Sequence, residues 1–249
     1  MEEPRKVVTP PTDWRHDALS LHSGKVRDEK PLDLSTLIHQ DAGTVRLVYV
    51  HPDLPDAVIK VVRPERVDGF GHFKDDKRLR FRRPLGMYRL FRRELHQYLE
   101  LCRRGYGDRR SVFPMATPFG FLPTSEGLGL VTEKIKNESG AMGPSLKSLI
   151  RSGKVRAMHV AALNTLFDEC IDLHLIIGDP NPGNMVYTEE RSGRPEFVLV
   201  DGVGEKNLIP LRTLSWRYNR YKLKKAQRTL LAAIARANPG LPIAQPALA

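Results

Sequence analysis

Apolar residues recur along this chain with two different periods, and the changes of period outline the fold. Short runs at strand length come first: Thr36–His39, Thr44–Val50 and Ala57–Val62. Turn-forming stretches rich in Asp, Gly and Pro separate them, and together they predict an antiparallel meander. Residues 64–83 are basic and irregular and read as a long loop or insertion. Pro84 then opens a helix at a favourable position, with Tyr88, Phe91, Leu95, Tyr98, Leu99 and Cys102 as its apolar stripe. Phe119–Leu122 and Leu128–Ile135 predict a hairpin across the Pro123–Gly127 turn. The polar, Gly-containing stretch 136–144 marks a boundary. Beyond it the helical period returns, in a short helix over Ser145–Arg151 and a longer one over 155–173. The longer helix carries Met158, Ala162, Leu163, Leu166, Phe167, Cys170 and Leu173 on one face. A second hairpin pairs Asn184–Thr188 with Phe197–Val200. A basic helix then runs to about Ala237 and stops at Asn238-Pro239-Gly240. Residues 1–30 have no periodicity and read as a flexible tail.

Two charged residues interrupt this pattern where a solvated face does not explain them. Lys60 lies inside the third strand between Ile59 and Val61. Alone it points either to solvent on an edge face or into a cleft. Glu94 falls on the helix stripe, three residues after Phe91 and four before Tyr98. A carboxylate there needs a partner to offset its desolvation. Lys60 is the natural one, and the alternative is a local pairing with Arg92 or Arg93.

Composition narrows the class without deciding it. The 249 residues, 41% hydrophobic and 28% charged, suffice for one large domain or two small lobes. No apolar run approaches the ~20 residues of a membrane span. The N-terminal residues lack the apolar core of an export signal, so a cytoplasmic location is expected. Cys102 and Cys170 each fall within a helical apolar pattern and read as buried thiols. The net charge of +11 suits a phosphate-bearing, nucleic-acid or anionic membrane partner. In the C-terminal helix Trp216, Tyr218 and Tyr221 alternate with Arg217, Arg220, Lys222 and Lys224. This reads as a helix packing its aromatics inward. The alternative is a surface for nucleic acid or membrane.

The chemistry concentrates in residues 175–204. An apolar run delivers Asp179, Asn184 follows five residues later, and a strand-like run ends at Asp201-Gly202. The Pro- and Gly-rich residues between Asp179 and Asn184 can fix a tight loop. One carboxylate near an attacking hydroxyl, with an amide and a second carboxylate for a metal ion, is what phosphoryl transfer needs. Either half alone could be a turn between buried strands. The two together, each beside a strand, are far more specific.

The order of Lys60, Glu94, Asp179-x4-Asn184 and Asp201-Gly202 resembles the protein-kinase-like fold. The loop Gly178–Asn184 looks most like the H-G-D-x-x-P-x-N loop of aminoglycoside-phosphotransferase-type kinases. That loop, Val200-Asp201, the following Leu208–Leu211 and the Trp- and Arg-rich helix resemble the YrbL family, a bacterial group named for the PhoP regulatory network. The resemblance implies an α+β, two-lobe, protein-kinase-like fold. Residues 31–138 would form an N-lobe with an antiparallel sheet and one helix, and residues 139–249 a compact, mainly helical C-lobe. It implies ATP and Mg²⁺ as cofactors and a hydroxyl-bearing acceptor, and the net charge of +11 suits an anionic one. Lys60 would contact the nucleotide phosphates and Glu94 would hold Lys60. Gly43 would lie in the phosphate-covering turn, and Glu133–Ile135 would face the adenine through the backbone. Asp179 would orient or deprotonate the acceptor, and Asn184 and Asp201 would bind Mg²⁺.

The departures are specific. Ile177 stands where a His often precedes Gly-Asp. Gly43 is a single glycine in place of G-x-G-x-x-G. Asp201-Gly202-Val203 lacks the Phe of D-F-G, and fewer than fifty residues follow Asp201. The expected function is therefore a compact ATP- and Mg²⁺-dependent phosphotransferase. A pseudokinase acting as a regulatory binding protein is the alternative, and a basic nucleic-acid or membrane-surface module the second.

Overall fold

Strand β3 (Ala57–Val62) is buried along its whole length and sits at the centre of a five-stranded sheet. β1 (His39–Ala42) and β2 (Arg46–Val50) lie on one side of it, and β5 (Gly127–Glu133) and β4 (Pro118–Thr124) on the other. The order is β1-β2-β3-β5-β4 and every pairing is antiparallel. The structure is a computed structural model and describes residues 30–37, 39–75, 84–206 and 209–241. Most of the tail expected at 1–30, and Leu208, lie outside these residues.

Side-chain alternation along β3 sets up the site. Ala57, Ile59 and Val61 enter one apolar cluster, with Leu34 and Val131. Val62 enters the cluster on the opposite face, with Phe73, Phe91 and Leu130. Lys60 shares the parity of Val62 and emerges on the Phe91 side. The helix that supplies Phe91 is α1 (Arg89–Arg104). It begins later than the sequence pattern predicts. Leu85 and Gly86 both take left-handed backbone (φ 64° and 46°), and Gly86 lies so close to Gly71 that a Cβ would stand 2.2 Å from the Gly71 carbonyl oxygen. This tight turn and a 3₁₀ turn over Gly86–Tyr88 precede the helix.

The buried face of α1 is Phe91, Glu94, Gln97 and Leu101, and the predicted stripe is corrected there. Leu99 points outward and is 64% exposed. Two polar residues take inner positions because each finds a partner. Gln97 accepts a hydrogen bond from the Ile176 amide at 3.2 Å, and Glu94 is described below.

The first predicted strand is likewise displaced: Leu34–Thr36 forms a 3₁₀ turn capped by Asp33, and β1 begins at His39. The other elements fall close to expectation. The second half contains α2 (Leu146–Arg151), α3 (Ala157–Asp172), the hairpin β6 (Met185–Thr188) and β7 (Glu196–Leu199), α4 (Leu211–Leu214) and α5 (Trp216–Ala237). Ser145 and Ser215 cap α2 and α5 by accepting from the Ser148 and Tyr218 amides. The largest core cluster joins α2, α3, α5 and the hairpin, with Leu163, Phe167, Phe197, Leu223 and Ile234 at most 1% exposed. Each such side chain contributes about 1.5–3 kcal/mol by leaving water.

Three further expectations change. Met158 is 37% exposed, and His159 and Val160 are buried in its place. Cys170 is buried but Cys102 only partly so, and the two are unbridged. The buried face of α5 is Leu223, Leu230, Leu231 and Ile234, whereas Trp216 and Tyr221 are about half exposed. Trp216 and Tyr221 therefore do not pack inward as expected, and Tyr218 is partly buried. Among the described residues no helix is long and apolar enough to cross a membrane.

Candidate functional site

Lys60 and Glu94 meet. The Lys60 ammonium donates to Glu94 Oε1 at 2.5 Å and to the Val200 carbonyl at 2.7 Å. Both residues are almost fully buried. The alternative pairing of Glu94 with Arg92 or Arg93 gives way to an unforeseen partner. Arg46, on β2, donates to Glu94 Oε2 at 2.9 Å. Register explains its position: Val48 faces Lys60 and Arg46 faces Val62, so Arg46 is the diagonal neighbour of Lys60 on the same sheet face. Arg46 also forks onto Asp201, with Nε 3.0 Å from Oδ2 and NH2 against Oδ1. Two cations and two carboxylates thus form one chain, Lys60–Glu94–Arg46–Asp201.

Burial alone would raise the Glu94 carboxyl pKa, but the charges of Lys60 and Arg46 outweigh it and hold the group below its usual value. Burial also pushes the Lys60 ammonium down, against the pull of Glu94, and the Arg46 charge adds to that. With two cations at hydrogen-bond distance, Glu94 is ionised.

The stretch around Asp179 is held against the stretch after Asp201 by backbone pairing. Asp179 N donates to the Gly202 carbonyl and Gly204 N to the Ile176 carbonyl, both at 2.8 Å, with Ile177 and Val203 bridged between them. Asn184 Nδ2 donates to the Asp179 carbonyl at 3.1 Å. Gly202 has φ +76°, and a Cβ there would stand 2.6 Å from both Asn184 Nδ2 and the Asp179 carbonyl oxygen. Only glycine lets the two segments approach this closely. Ile177 is buried in the main core, and its carbonyl accepts from Arg212 NH1 at 2.7 Å. The segment entering Asp179 is thereby anchored from α4 without a His at position 177.

Asp179, Asn184 and Asp201 are therefore brought together, and Lys60 and Glu94 reach them through Val200 and Arg46. Asp179 pairs with Lys206 at 3.1 Å, and both side chains stay over two-fifths exposed, open to a solute. Gly43 lies in the β1–β2 turn, where its carbonyl accepts from Arg63 Nε at 2.8 Å. Glu133 is committed elsewhere: its side chain pairs with Arg191 at 2.7 Å, and its amide donates to Thr117 O at 2.8 Å. Ile135 is buried beside Ala116, Val186 and Val198, and its carbonyl accepts from Gly143.

Arg46 and Lys206 escaped the sequence reading. Arg46 carried the signal used for Lys60, a cation inside an apolar strand run. Lys206 carried no signal beyond its nearness to Asp201.

The oxygen donors suit a hard divalent ion. With its Nδ2 turned to Asp179, Asn184 keeps Oδ1 as an acceptor, and the Asp201 carboxylate is 40% exposed. Among the described residues no three His, Cys, Asp or Glu side chains gather as ligands. Two protein oxygens with water and phosphate completing the shell is a usual arrangement for magnesium.

The fold and site define a mixed α+β protein whose antiparallel sheet and α1 together hold a buried Lys–Glu pair next to an Asp/Asn loop. Residues 32–235 match the family model of the PhoP regulatory network protein YrbL, and the chain belongs to that family. No curated protein matches it in sequence.

Proposed function

We propose that this chain is a kinase-like phosphotransferase that binds ATP with Mg²⁺ and transfers the γ-phosphoryl group to a hydroxyl acceptor. The observation that carries the reading is the buried Lys60–Glu94 pair seated against Val200, one residue before Asp201. A buried lysine held by a carboxylate is a fixed positive charge suited to nucleotide phosphates. In this reading the sheet with α1 is the N-lobe, the helical half is the C-lobe, and the site lies where they meet.

Asn184 and Asp201 would hold magnesium, which when bound neutralises charge on the transferring phosphoryl group. Asp179 orients the acceptor hydroxyl and takes its proton. Lys206, beside Asp179, supplies positive charge on the open side where acceptor and phosphate would meet. The adenine would find the Glu133 side chain already held by Arg191, so any contact there is through the backbone. The basic surface favours an anionic acceptor.

ATP with Mg²⁺ is expected to raise the melting temperature of the wild type and not that of Lys60→Met, because a ligand that binds only the native state stabilises it. Asp179→Asn should still bind but lose turnover, read as ADP release with candidate acceptors. A wild type whose melting point ignores ATP at millimolar levels sinks the proposal.

A second reading, a regulatory pseudokinase, is favoured by Arg46 lying on Asp201. It predicts nucleotide binding with no turnover that depends on Asp179.

A further inference from the structure

Arg46 lies where a metal ligand needs open space. Its guanidinium takes both oxygens of Asp201, and the Gly202 amide donates to Oδ1 as well. A carboxylate offers about four acceptor positions. Three are used, and the single one left is on Oδ2, the oxygen that already accepts from Arg46 Nε. A dication placed there would face a fixed positive charge across one carboxylate.

The arrangement is built into the fold. Arg46 is 6% exposed, is placed by the β2–β3 register, and is held at its other end by Glu94. The fork matches a carboxylate in shape, as an ammonium does not. Asp201 itself is 40% exposed, so an incoming ion can approach the Arg46–Asp201 pair from solvent. NH1 can keep Glu94 when Nε and NH2 let go, and the Lys60–Glu94 pair need not break.

We infer that Arg46 is a resident counter-cation of Asp201, and that a divalent ion must displace it to reach that carboxylate. Arg46 thereby sets how much metal the site requires. This rests on the reading of Asp201 as a metal ligand. Two states follow. In one, Arg46 neutralises Asp201. In the other, metal holds Asp201, and the freed guanidinium lies beside Lys60 as a second cation for the nucleotide phosphates. The apparent metal affinity falls in proportion to the fraction of molecules in which Asp201 is free.

The test is Mn²⁺ binding to the full chain without nucleotide, followed by the electron paramagnetic resonance signal of free Mn²⁺. The proteins compared are wild type, Arg46→Met, Arg46→Lys and Arg46→Met/Asp201→Asn. If Asp201 is free in fewer than one molecule in ten, Arg46→Met should bind Mn²⁺ at least ~10-fold more tightly. Arg46→Lys, which keeps charge but loses the fork, should fall between the two. It also serves if Arg46→Met does not fold. The double variant should lose the gain, which locates the ion at Asp201.

The inference is overturned if Arg46→Met, or Arg46→Lys in its stead, binds Mn²⁺ no more tightly than wild type. It is equally overturned if the gain survives Asp201→Asn. A parallel melting series with ATP, in EDTA and in Mg²⁺, separates this from the nucleotide reading. ATP that stabilises none of the proteins refutes nucleotide binding, while the Mn²⁺ comparison still decides the role of Arg46.

Discussion

Replacing Glu94 by Gln removes the carboxylate that faces both Lys60 and Arg46 while keeping its volume. Glu94 is 3% exposed, with Lys60 Nζ at 2.5 Å and Arg46 NH1 at 2.9 Å. Arg46 keeps Asp201 after the change, but Lys60 keeps only the Val200 carbonyl and a neutral amide. Breaking a buried pair by removing one partner costs about 3–5 kcal/mol, most of it from the charge left behind. In a chain of this length that lowers the melting temperature by roughly 10 °C. Lys60→Met should cost less, because Glu94 retains Arg46 and no cation is stranded. The pH dependence adds a signature. Without Glu94 the native Lys60 pKa falls further below its unfolded value. The unfolded chain then binds the proton more strongly, so stability rises with pH through the native value. The deficit of Glu94→Gln should therefore shrink as pH rises from neutral toward the ordinary lysine pKa of ~10.4. The assay is urea unfolding of the three proteins at neutral pH and at steps up to that value. A cost for Glu94→Gln below about 1 kcal/mol, or no larger than that of Lys60→Met, would refute the reasoning, since a stranded buried charge cannot be that cheap.

Other outcomes follow from single contacts. Gly202→Ala should cost about 1–3 kcal/mol, because alanine at φ +76° is strained and its Cβ meets Asn184 and the Asp179 carbonyl; an unchanged unfolding midpoint would contradict the close approach. Acid should destabilise the protein progressively from about pH 4.5 downward. The Arg103 hydrogen bond, foremost, holds the Glu100 carboxyl at about 2, and Glu94 is also held below its usual value. These contributions are present above the unfolded pKa values and lost as pH falls through the folded ones. Glu100→Gln should flatten the profile near its acid end, measured as urea midpoints from pH 5 to pH 2. Cys170 is fully buried and its thiol pKa is pushed up by that burial, so native protein should resist a thiol reagent there and react only on unfolding. Mass mapping that finds native Cys170 labelled as fast as Cys102 would contradict this packing.

Much of the architecture was legible because buried strands and helices leave periodic marks. β3, the β4–β5 and β6–β7 hairpins, α2, α3 and the end of α5 all lie close to where apolar spacing and turn residues place them. Misreadings came where tertiary partners overrode the period. Leu99 fits the α1 stripe as well as Leu101 does, yet Gln97 and Glu94 hold the inner face, because Ile176 and the two cations satisfy them. The start of α1 moved because Gly86 must pass close to Gly71, a contact between distant residues that no local pattern records.

For the site, sequence alone determined the residue types and their order: Lys60 in a strand, Glu94 on a buried helix face, and Asp179, Asn184 and Asp201 at loop and strand ends. Those follow from local rules, since a charge on an apolar face demands a partner wherever the chain goes. Only the tertiary structure decided who the partners are. Strand register brought Arg46 beside Lys60 and onto Asp201, and backbone pairing across Gly202 set Asp179 against the segment that holds Lys206. Register and close approach depend on residues far apart in the chain, so the cation lying on Asp201 appears only once the sheet is assembled.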